Sequence, residues 1–477
     1  MSLNNLNSGF AKGAGHSVGL KLLLVCFLVL LMGIPALFIA AISFERAGRA
    51  DDVTREVSQR YGGAQTLLGP VLNVPYTTKD SEGEIISYGE YVIFAESGSA
   101  NVEKLTTKIR KLSLFKVPTY QTKVNFSAQF NLPSKENLET SFQTFLWSEA
   151  KINIGLTDVR GLQDDVYLDL GSGQKLKFRP ASGRTFRSVR NVNVYDKRTE
   201  KMIVQKLKAY HEYINLQAME VSLGDLLEGQ KSFSVNASLP IRGSQRISIA
   251  PFAQSTKVEI NADWSHPGFV GMYPPRDREI FEDGFVANWS VPFLARGMAA
   301  HGDAEELNLH QLSNKAVSVK FVNPVNPYQN VTRALKYAIL FIGMVFLAYF
   351  LFETLVGIKV HAAQYVLVGL AQSVFYLLLL AFAEHIGFTL AFILAASATV
   401  FITSAYAGVV FGKSYTLKAG AVFAATYGLL YVLMRIEDFA LMVGALASFL
   451  AIAATMYLTR NVNWYGGGQS SLTQNAS

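Results

Sequence analysis

Charged residues are scarce in this chain, and that scarcity argues against an ordinary soluble protein. Only 17% of the 477 residues are Asp, Glu, Lys or Arg, whereas 50% are hydrophobic. Soluble domains carry about 25% charged residues. Most of the charge falls between residues 45 and 336, and long apolar runs follow it. The composition therefore predicts a membrane protein with one large water-exposed domain.

Cysteine and the common catalytic motifs are also nearly absent. The one cysteine, Cys26, lies inside the first apolar run, which excludes an intrachain disulfide and a cysteine-rich metal site. The sequence has no P-loop and no H-E-x-x-H, and its G-x-S-x-G match at residues 15–19 lies directly before an apolar run instead of after a strand. The glycines at residues 13–20 precede an apolar helix instead of following a strand, which argues against a dinucleotide fingerprint. We therefore expect no cofactor, no metal and no enzymatic activity.

A concentrated nucleic-acid-binding patch is not evident either. The formal net charge is +7, but the Lys and Arg residues are spread along alternating segments and interleaved with acids. Nucleic-acid-binding domains gather their basic residues on one face or helix. We expect no nucleic-acid partner. The expected partners are the lipid bilayer and an unidentified envelope component, which is a protein, a lipid or a glycan.

Six apolar runs are long enough to cross a bilayer. The first, residues 22–42, is longer than the apolar segment of a secretory signal and is interpreted as an uncleaved anchor. The other five cluster near the end, at residues 334–355, 364–383, 386–408, 418–434 and 439–458. The predicted order is a cytoplasmic tail (1–20), an anchor helix (21–43), a periplasmic β-rich domain (44–332), a five-helix bundle (333–459) and a second cytoplasmic tail (460–477).

The short loops predict the orientation in the membrane. One set of loops and tails contains Lys12, Lys21, Lys359, Lys413, Lys418 and Arg460. The opposite set contains only Arg435, next to Glu437 and Asp438. Because short cytoplasmic loops are enriched in Lys and Arg, the first set is predicted to be cytoplasmic. With six spans, both termini are then on the cytoplasmic side of the membrane, and the large domain is on the outer side.

The large domain shows the alternation of half-buried strands. Apolar residues recur at every second position in "KVNFSAQFNL", "SFSVNASL", "KVEINADW" and "AVSVKF". Such alternation is typical of antiparallel sheets with one face on a core. The fold class is therefore predicted as α+β, with a sandwich-like β domain and six membrane helices. Phe126, Val235, Ile260 and Val319 are expected in the core, and short helices are expected near residues 137–149 and 222–228.

The acid–histidine pair in "AFAEHIGF", residues 381–388, interrupts almost fifty otherwise apolar residues. Either the pair is functional inside the membrane, or it marks the tip of a helical hairpin at the membrane surface. The second interpretation is favoured, because two spans of about 20 residues need a turn at this point. Glu384 is then expected within ion-pair distance of Arg435 or Arg333. The candidate boundary cluster comprises Glu384, His385, Arg435, Glu437, Asp438 and Arg333.

Two further polar sets have a functional and a structural interpretation. The segment 264–289 is rich in Pro, Gly and aromatics and contains His266, Asp277, Glu279, Glu282 and Asp283. A loop with strand edges is favoured over a catalytic set, because no positioned pair of partners is visible. Glu353 and His361 bracket "TLVGIKV", where Gly357 is expected to end the helix. Interfacial anchoring is favoured there over a metal or proton role.

Two stretches resemble a known family. "YGGAQTLLGPVLNVPY" at residues 61–76 and "VHAAQYVLVGLAQSVFYLLLLAFAEHIGF" at residues 360–388 resemble the CreD family of bacterial inner-membrane proteins. W-x-H-P-x-F from Trp264 and the later "GFVANW" fit as well. The resemblance implies a periplasmic domain, a role in envelope integrity and expression tied to a two-component β-lactam response, but it supplies no catalytic residues. In the first stretch, Gln65, Gly69 and Pro70 are expected to form a turn.

Three functions remain open from the sequence. A non-enzymatic envelope-integrity protein with a periplasmic binding domain is favoured. A transporter or flippase-like protein is the first alternative, and it requires ionisable groups at mid-depth in the membrane. A glycan-active enzyme is the second, and it requires two carboxylates facing each other across a cleft.

Overall fold

The structure is a computed structural model. In it the chain folds into two compact units. One unit joins residues 1–51 to 325–477, and the other spans residues 52–324. The structure describes residues 18–112, 115–134, 138, 143–171, 174–181, 216–227, 229–307, 309–321, 327–436 and 439–461.

The helical unit contains six helices that are long and apolar enough to cross a membrane, as the sequence predicted. Helix α1, Val18–Arg60, continues 18 residues past the apolar run that ends at Ile42. Three short helices of the second unit follow it: α2 (Phe293–Arg296), α3 (Ala304–Leu307) and α4 (His310–Asn314). The remaining helices are α5 (Pro327–Lys336), α6 (Ala338–Val356), α7 (Ala362–Ile386), α8 (Phe388–Phe411), α9 (Lys413–Arg435) and α10 (Ala440–Thr459).

Glycines separate three consecutive pairs of the C-terminal spans, at Gly357, Gly387 and Gly412, because the chain must reverse there within a few residues. Gly357 follows α6 in the left-handed conformation at φ +76°, with its N–H bonded to the carbonyl of Glu353, so the expected helix end is confirmed. Gly387 is the single residue between α7 and α8 and has φ +81°. A residue with a Cβ is strained at such φ values, whereas glycine adopts them freely.

The second unit is made of eighteen described strands. They are β1 (Gln65–Lys79), β2 (Ile85–Ile93), β3 (Ala95–Leu112), β4 (Phe115–Asn131), β5 (Gln143–Phe145), β6 (Lys151–Leu156), β7 (Tyr167–Asp169), β8 (Lys175–Lys177), β9 (Arg179–Pro180), β10 (Gln217–Ser222), β11 (Ser232–Ser244), β12 (Arg246–Ala250), β13 (Ala253–Ala262), β14 (Pro267–Gly271), β15 (Asp277–Phe281), β16 (Gly284–Val291), β17 (His301–Asp303) and β18 (Val317–Phe321).

These strands form two sheets over one shared core. The first sheet has the order β14-β18-β12-β1-β6-β10-β9, with β2 and β5 also on β1 and β17 on β2. The second has the order β15-β16-β13-β3-β4-β11-β7-β8. The pairings are antiparallel except for β1 with β12 and β3 with β13. One contiguous cluster of buried residues draws on both sheets, which confirms the sandwich-like β domain.

The period-two alternation identified the core correctly. Phe126, Val235, Ile260 and Val319 are each no more than 1% exposed, and all four belong to the shared core. Side chains alternate between the faces of a strand, so the apolar half of each segment turns toward the opposite sheet. The alternation therefore predicted both the strands and the face that each strand buries.

The turn expected at Gln65, Gly69 and Pro70 is wrong, because all three lie inside strand β1. The turn is instead made by Gly62 and Gly63, which have positive φ. A Cβ on Gly69 would stand 2.6 Å from the Phe252 ring and 2.8 Å from the Phe126 ring, so glycine permits the close approach of the two sheets. Pro70 falls where the β1–β6 register shifts, and a proline there removes no ladder hydrogen bond.

The two short helices expected in this unit have different outcomes. Near residues 222–228 the structure has a 3₁₀ turn, Gly224–Leu227. The segment 137–149 lies partly outside the described residues, and its described end contains the 3₁₀ turn Trp147–Glu149.

Candidate functional site

Glu384 lies in the last turn of α7, about 33 Å from the start of that helix at 1.5 Å per residue. Its Oε1 accepts a hydrogen bond of 3.0 Å from the hydroxyl of Tyr328 on α5. Burial, followed by the neighbouring Glu384 carboxylate, raises the pKa of Tyr328 to about 12. The hydroxyl is therefore protonated and donates to the carboxylate. The contact joins the end of α7 to the helix that precedes α6.

The ion pair expected between Glu384 and Arg435 is wrong. Arg435 donates from Nη2 to the Thr389 hydroxyl at 3.1 Å and from Nε to the Tyr431 hydroxyl at 3.2 Å. Its guanidinium also lies over the Tyr431 ring. Tyr431 is one helical turn before Arg435 on α9, and Thr389 lies at the start of α8. The guanidinium therefore has hydrogen-bond acceptors close to its own helix end. In the described part of the chain, Glu384 bonds to Tyr328 and not to Arg435 or Arg333.

The other members of the expected boundary cluster are described only in part, and the cluster as a whole stays a prediction. His385 is exposed in the last turn of α7, next to the Gly387 turn. Arg333 lies in the last turn of α5. Glu437 and Asp438 lie outside the described residues. The structure thus places Glu384 and His385 directly before a helical hairpin turn, and the contact that it gives the acid is a neutral hydrogen-bond donor.

A second acid, Glu353, is the centre of a buried polar cluster that the sequence analysis did not assemble. Its carboxylate is ion-paired with Lys21 of α1 and accepts a hydrogen bond of 2.9 Å from the Tyr365 hydroxyl of α7. The backbone N–H of Val360 donates to it at 3.0 Å, and Lys21 also donates to the Val360 carbonyl at 2.8 Å. We call Lys21, Glu353, Val360 and Tyr365 the lysine–glutamate cluster.

This cluster joins three helices at one end of the bundle. The Glu353 side chain is 8% exposed and that of Lys21 is 28% exposed, so the pair is largely withdrawn from solvent. His361, the other residue singled out here, instead caps α7 with its side chain on the Ala363 N–H, in a capping box with Gln364. The cluster has a structural role in this arrangement, because every polar group in it already has a partner within the protein.

Polar side chains also lie near the middle of the membrane helices. Gln372 is about 15 Å along α7, close to its midpoint, and is 3% exposed. Its Nε2 and the hydroxyl of Ser404 on α8 have no hydrogen-bond partner among the described residues. Tyr349 of α6 donates to the Thr403 carbonyl of α8 at 2.7 Å. Buried polar groups in a bilayer are costly, and such residues frequently mark transport pathways.

In the β unit, a group of aromatic and polar side chains surrounds β2, with Phe145 buried at its centre and the others partly exposed or exposed. The Tyr91 and His301 rings are 5.8 Å apart, and Phe145 lies 5.2 Å from Tyr91 and 5.5 Å from Tyr76. Trp147 extends the row, 6.3 Å from Phe145. Two hydrogen bonds hold the group: Tyr76 to Asp303 at 2.6 Å and Tyr91 with Nδ1 of His301 at 2.7 Å. The aromatic patch comprises Tyr76, Tyr91, Phe145, Trp147, His301 and Asp303.

The register of three strands builds this patch. Tyr91 of β2 stands opposite Asp303 of β17, and Tyr76 of β1 stands opposite Gly89 of β2. A Cβ on Gly89 would come within 2.3 Å of the Tyr76 ring, so glycine allows this ring to lie across β2. Burial, followed by the charges of Asp303 and Glu306, raises the pKa of Tyr91. The patch therefore presents neutral tyrosines next to an acid and an imidazole.

The acids and histidine of segment 264–289 do not form a catalytic set. The segment folds into β14, β15 and β16, and every residue of β15 is exposed, Asp277 and Glu279 included. His266 is 2.9 Å from the hydroxyl of its neighbour Ser265. Glu282 and Asp283 form the turn between Phe281 and Gly284. Within the described ranges, no three His, Cys, Asp or Glu side chains are grouped to hold a metal ion.

Comparison with known proteins gives one consistent result. A family model described as "Inner membrane protein CreD" matches residues 17–465. The inner membrane protein CreD of Escherichia coli (strain K12) is 28% identical over 452 residues, which cover 92% of this chain and 91% of that protein. Neither description gives an enzymatic activity. With one apolar N-terminal helix, a β-rich middle and five apolar C-terminal helices, the chain belongs to the CreD family of inner membrane proteins.

Proposed function

We propose that this protein supports the integrity of the cell envelope without catalysing a reaction. Its β unit lies in the periplasm and binds an envelope component, and its helices hold that unit at the inner membrane with both termini in the cytoplasm. The Lys bias of the short loops supports this orientation. A link to the β-lactam response through two-component regulation belongs to the same proposal.

The aromatic patch is the observation that carries the binding function. Tyrosine and tryptophan are enriched where proteins recognise partners, because they offer large rigid surfaces together with a hydrogen-bonding group. Here five rings gather on one part of the domain, and Gly89 and two hydrogen bonds fix their positions. The polar groups bond to one another, which positions the rings and leaves no visible nucleophile and base. A binding surface therefore fits this geometry better than an active site.

Complementation of a strain that lacks its own copy tests the proposal. Tyr91→Ala and His301→Ala should reach the membrane in normal amounts and fail to restore growth under detergent or β-lactam stress. Tyr167→Ala is the matched control, because Tyr167 is 44% exposed on a strand of the other sheet. The control should restore growth fully. Full restoration by both patch variants would rule out the patch as the binding surface.

A transporter is the second candidate, and the buried Gln372 favours it. Gln372 lies near the middle of its helix, and its Nε2 has no hydrogen-bond partner among the described residues. It could therefore donate to a polar substrate or to a water molecule on a transport pathway. The same complementation assay separates the two candidates. Transport predicts that Gln372→Leu abolishes rescue and that Tyr91→Ala leaves it intact, whereas the envelope-binding proposal predicts the reverse.

A further inference from the structure

The β3–β4 hairpin extends beyond the sheet to which it belongs. β3 and β4 remain paired to the last register position, Leu112 with Phe115. The neighbouring strand β13 follows β3 only as far as Leu105, and β11 follows β4 only from Thr119. Residues 106–112 and 115–118 therefore form a two-stranded ribbon, with no strand on either side in the described sheets. At about 3.4 Å per residue the ribbon is roughly 20 Å long.

The ribbon is strongly basic, unlike most of the chain. Residues 104–135 contain seven Lys or Arg and no Asp or Glu. Four of these bases lie on the ribbon and are exposed: Lys108, Arg110, Lys111 and Lys116. None of the four belongs to an ion pair with a described residue. The fold therefore concentrates positive charge here without neutralising it.

The register makes this charge unfavourable when the ribbon is free. Lys111 and Lys116 are direct cross-strand partners. Like charges directly opposite each other destabilise a strand pair. Lysines on a free edge also prevent strand-to-strand aggregation, which accounts for basic residues in general but does not require two of them face to face. A bound anion between them would remove the repulsion.

Two exposed apolar residues share the ribbon with these bases. Ile109 is 54% exposed and Leu112 is 39% exposed. Basic residues combined with exposed apolar side chains are the composition that binds anionic membrane surfaces, because the charges contact lipid phosphates while the apolar groups enter the headgroup boundary. A soluble polyanion would use the charges and leave the apolar side chains in water.

The chain connects the ribbon to a bilayer through one helix. The Arg110 guanidinium lies 5.1 Å from the centre of the Tyr61 ring. Tyr61 is the residue that follows α1, and α1 carries the first apolar run. Among anionic surfaces, a bilayer that holds α1 is the one to which the chain itself tethers the ribbon.

We propose that the ribbon, residues 106–112 and 115–118, binds the phosphate-bearing headgroups of anionic lipids. This site is separate from the aromatic patch and does not depend on it. Lys111 and Lys116, which share one face of the ribbon with Ile109, contact the phosphates, and Ile109 contacts the acyl boundary. Lys108 and Arg110 lie on the opposite face with Leu112 and add positive charge to the site.

The test uses the full-length protein with Cys26→Ser and Ile109→Cys, labelled at the new cysteine with a polarity-sensitive fluorophore. The protein is reconstituted in vesicles of phosphatidylcholine alone or of phosphatidylcholine with phosphatidylglycerol. The emission should shift to the blue only with phosphatidylglycerol, and high salt should reverse the shift, since salt screens exposed charges. Equal emission in the two lipids would overturn the proposal.

Two charge-matched variants complete the experiment. Replacing Lys108, Arg110, Lys111 and Lys116 with Gln should abolish the shift. Replacing Lys175, Lys231, Lys257 and Arg276 with Gln removes the same exposed charge elsewhere and should preserve it. If both variants lost the blue shift, the net charge of the protein would account for it, and the proposal for the ribbon would be wrong. A shift produced by dextran sulfate in phosphatidylcholine vesicles would identify an acidic polymer as the occupant and contradict lipid binding.

Discussion

At the scale of single residues, Glu384 shows how a charge near a helix end is stabilised by a neutral partner. The Tyr328 hydroxyl donates to it at 3.0 Å. Tyr328→Phe removes this bond and should lower the stability of the protein by about 1 kcal/mol. Glu384→Gln keeps an acceptor at the same position and should cost less. Both proteins should remain folded and inserted, as measured by thermal unfolding in detergent and by membrane fractionation.

The functional outcome of Glu384→Gln separates the two interpretations of the acid–histidine pair. If the pair is the tip of a helical hairpin, the variant should support growth under envelope stress as the unaltered protein does. His385→Asn is the companion variant and should do the same, because His385 is exposed. Complete loss of growth support by a folded Glu384→Gln protein would instead establish a functional acid–histidine site.

At the scale of secondary-structure elements, the lysine–glutamate cluster attaches α1 to α6 and α7. Lys21→Met leaves the buried Glu353 carboxylate without its counter-ion. The expected loss is about 1–3 kcal/mol, below the roughly 3–5 kcal/mol of fully buried pairs, because Lys21 is 28% exposed. The double variant Lys21→Met, Glu353→Leu removes both charges and should be more stable than Lys21→Met alone. Thermal unfolding of the unaltered protein, Lys21→Met, Glu353→Leu and the double variant measures this coupling, and purely additive losses would contradict it.

The same scale shows which elements the sequence predicts and which it does not. Helix spans and strands follow from local hydrophobic patterns, so the six spans and the core positions Phe126 and Ile260 were correct. Gly69 and Pro70 were misassigned because glycine and proline usually form turns, whereas here the opposite sheet requires the glycine. A single sequence gives no warning of such tertiary contacts.

The partners of the polar residues depend on still longer separations. Lys21 and Glu353 are 332 positions apart, and Tyr91 and His301 are 210 positions apart. Each pair meets only because helices or strands from distant parts of the chain lie side by side. The helix count predicted Glu384 and Arg435 at turns on the same side of the membrane. In the structure Glu384 bonds to Tyr328, whereas Arg435 bonds to Thr389.

At the scale of the whole molecule, the orientation in the membrane remains a prediction, and the helix count constrains it. Six spans place both termini on one side. The loops that contain Lys359, Lys413 and Lys418 then share that side, and the β unit is on the other. Because short loops rich in Lys and Arg stay in the cytoplasm, the β unit should be periplasmic.

Paired reporters measure this orientation directly. A periplasm-dependent reporter fused after residue 200 should be active, and the same reporter fused after residue 415 should be silent. A cytoplasm-dependent reporter at the same two positions is the control and should give the opposite pattern. The bases that follow the first apolar run, Arg46, Arg49 and Arg55, act against this orientation, but large domains are translocated despite such charges. If both reporters gave the inverse result, the β unit would be cytoplasmic, and its proposed contact with the envelope would be impossible.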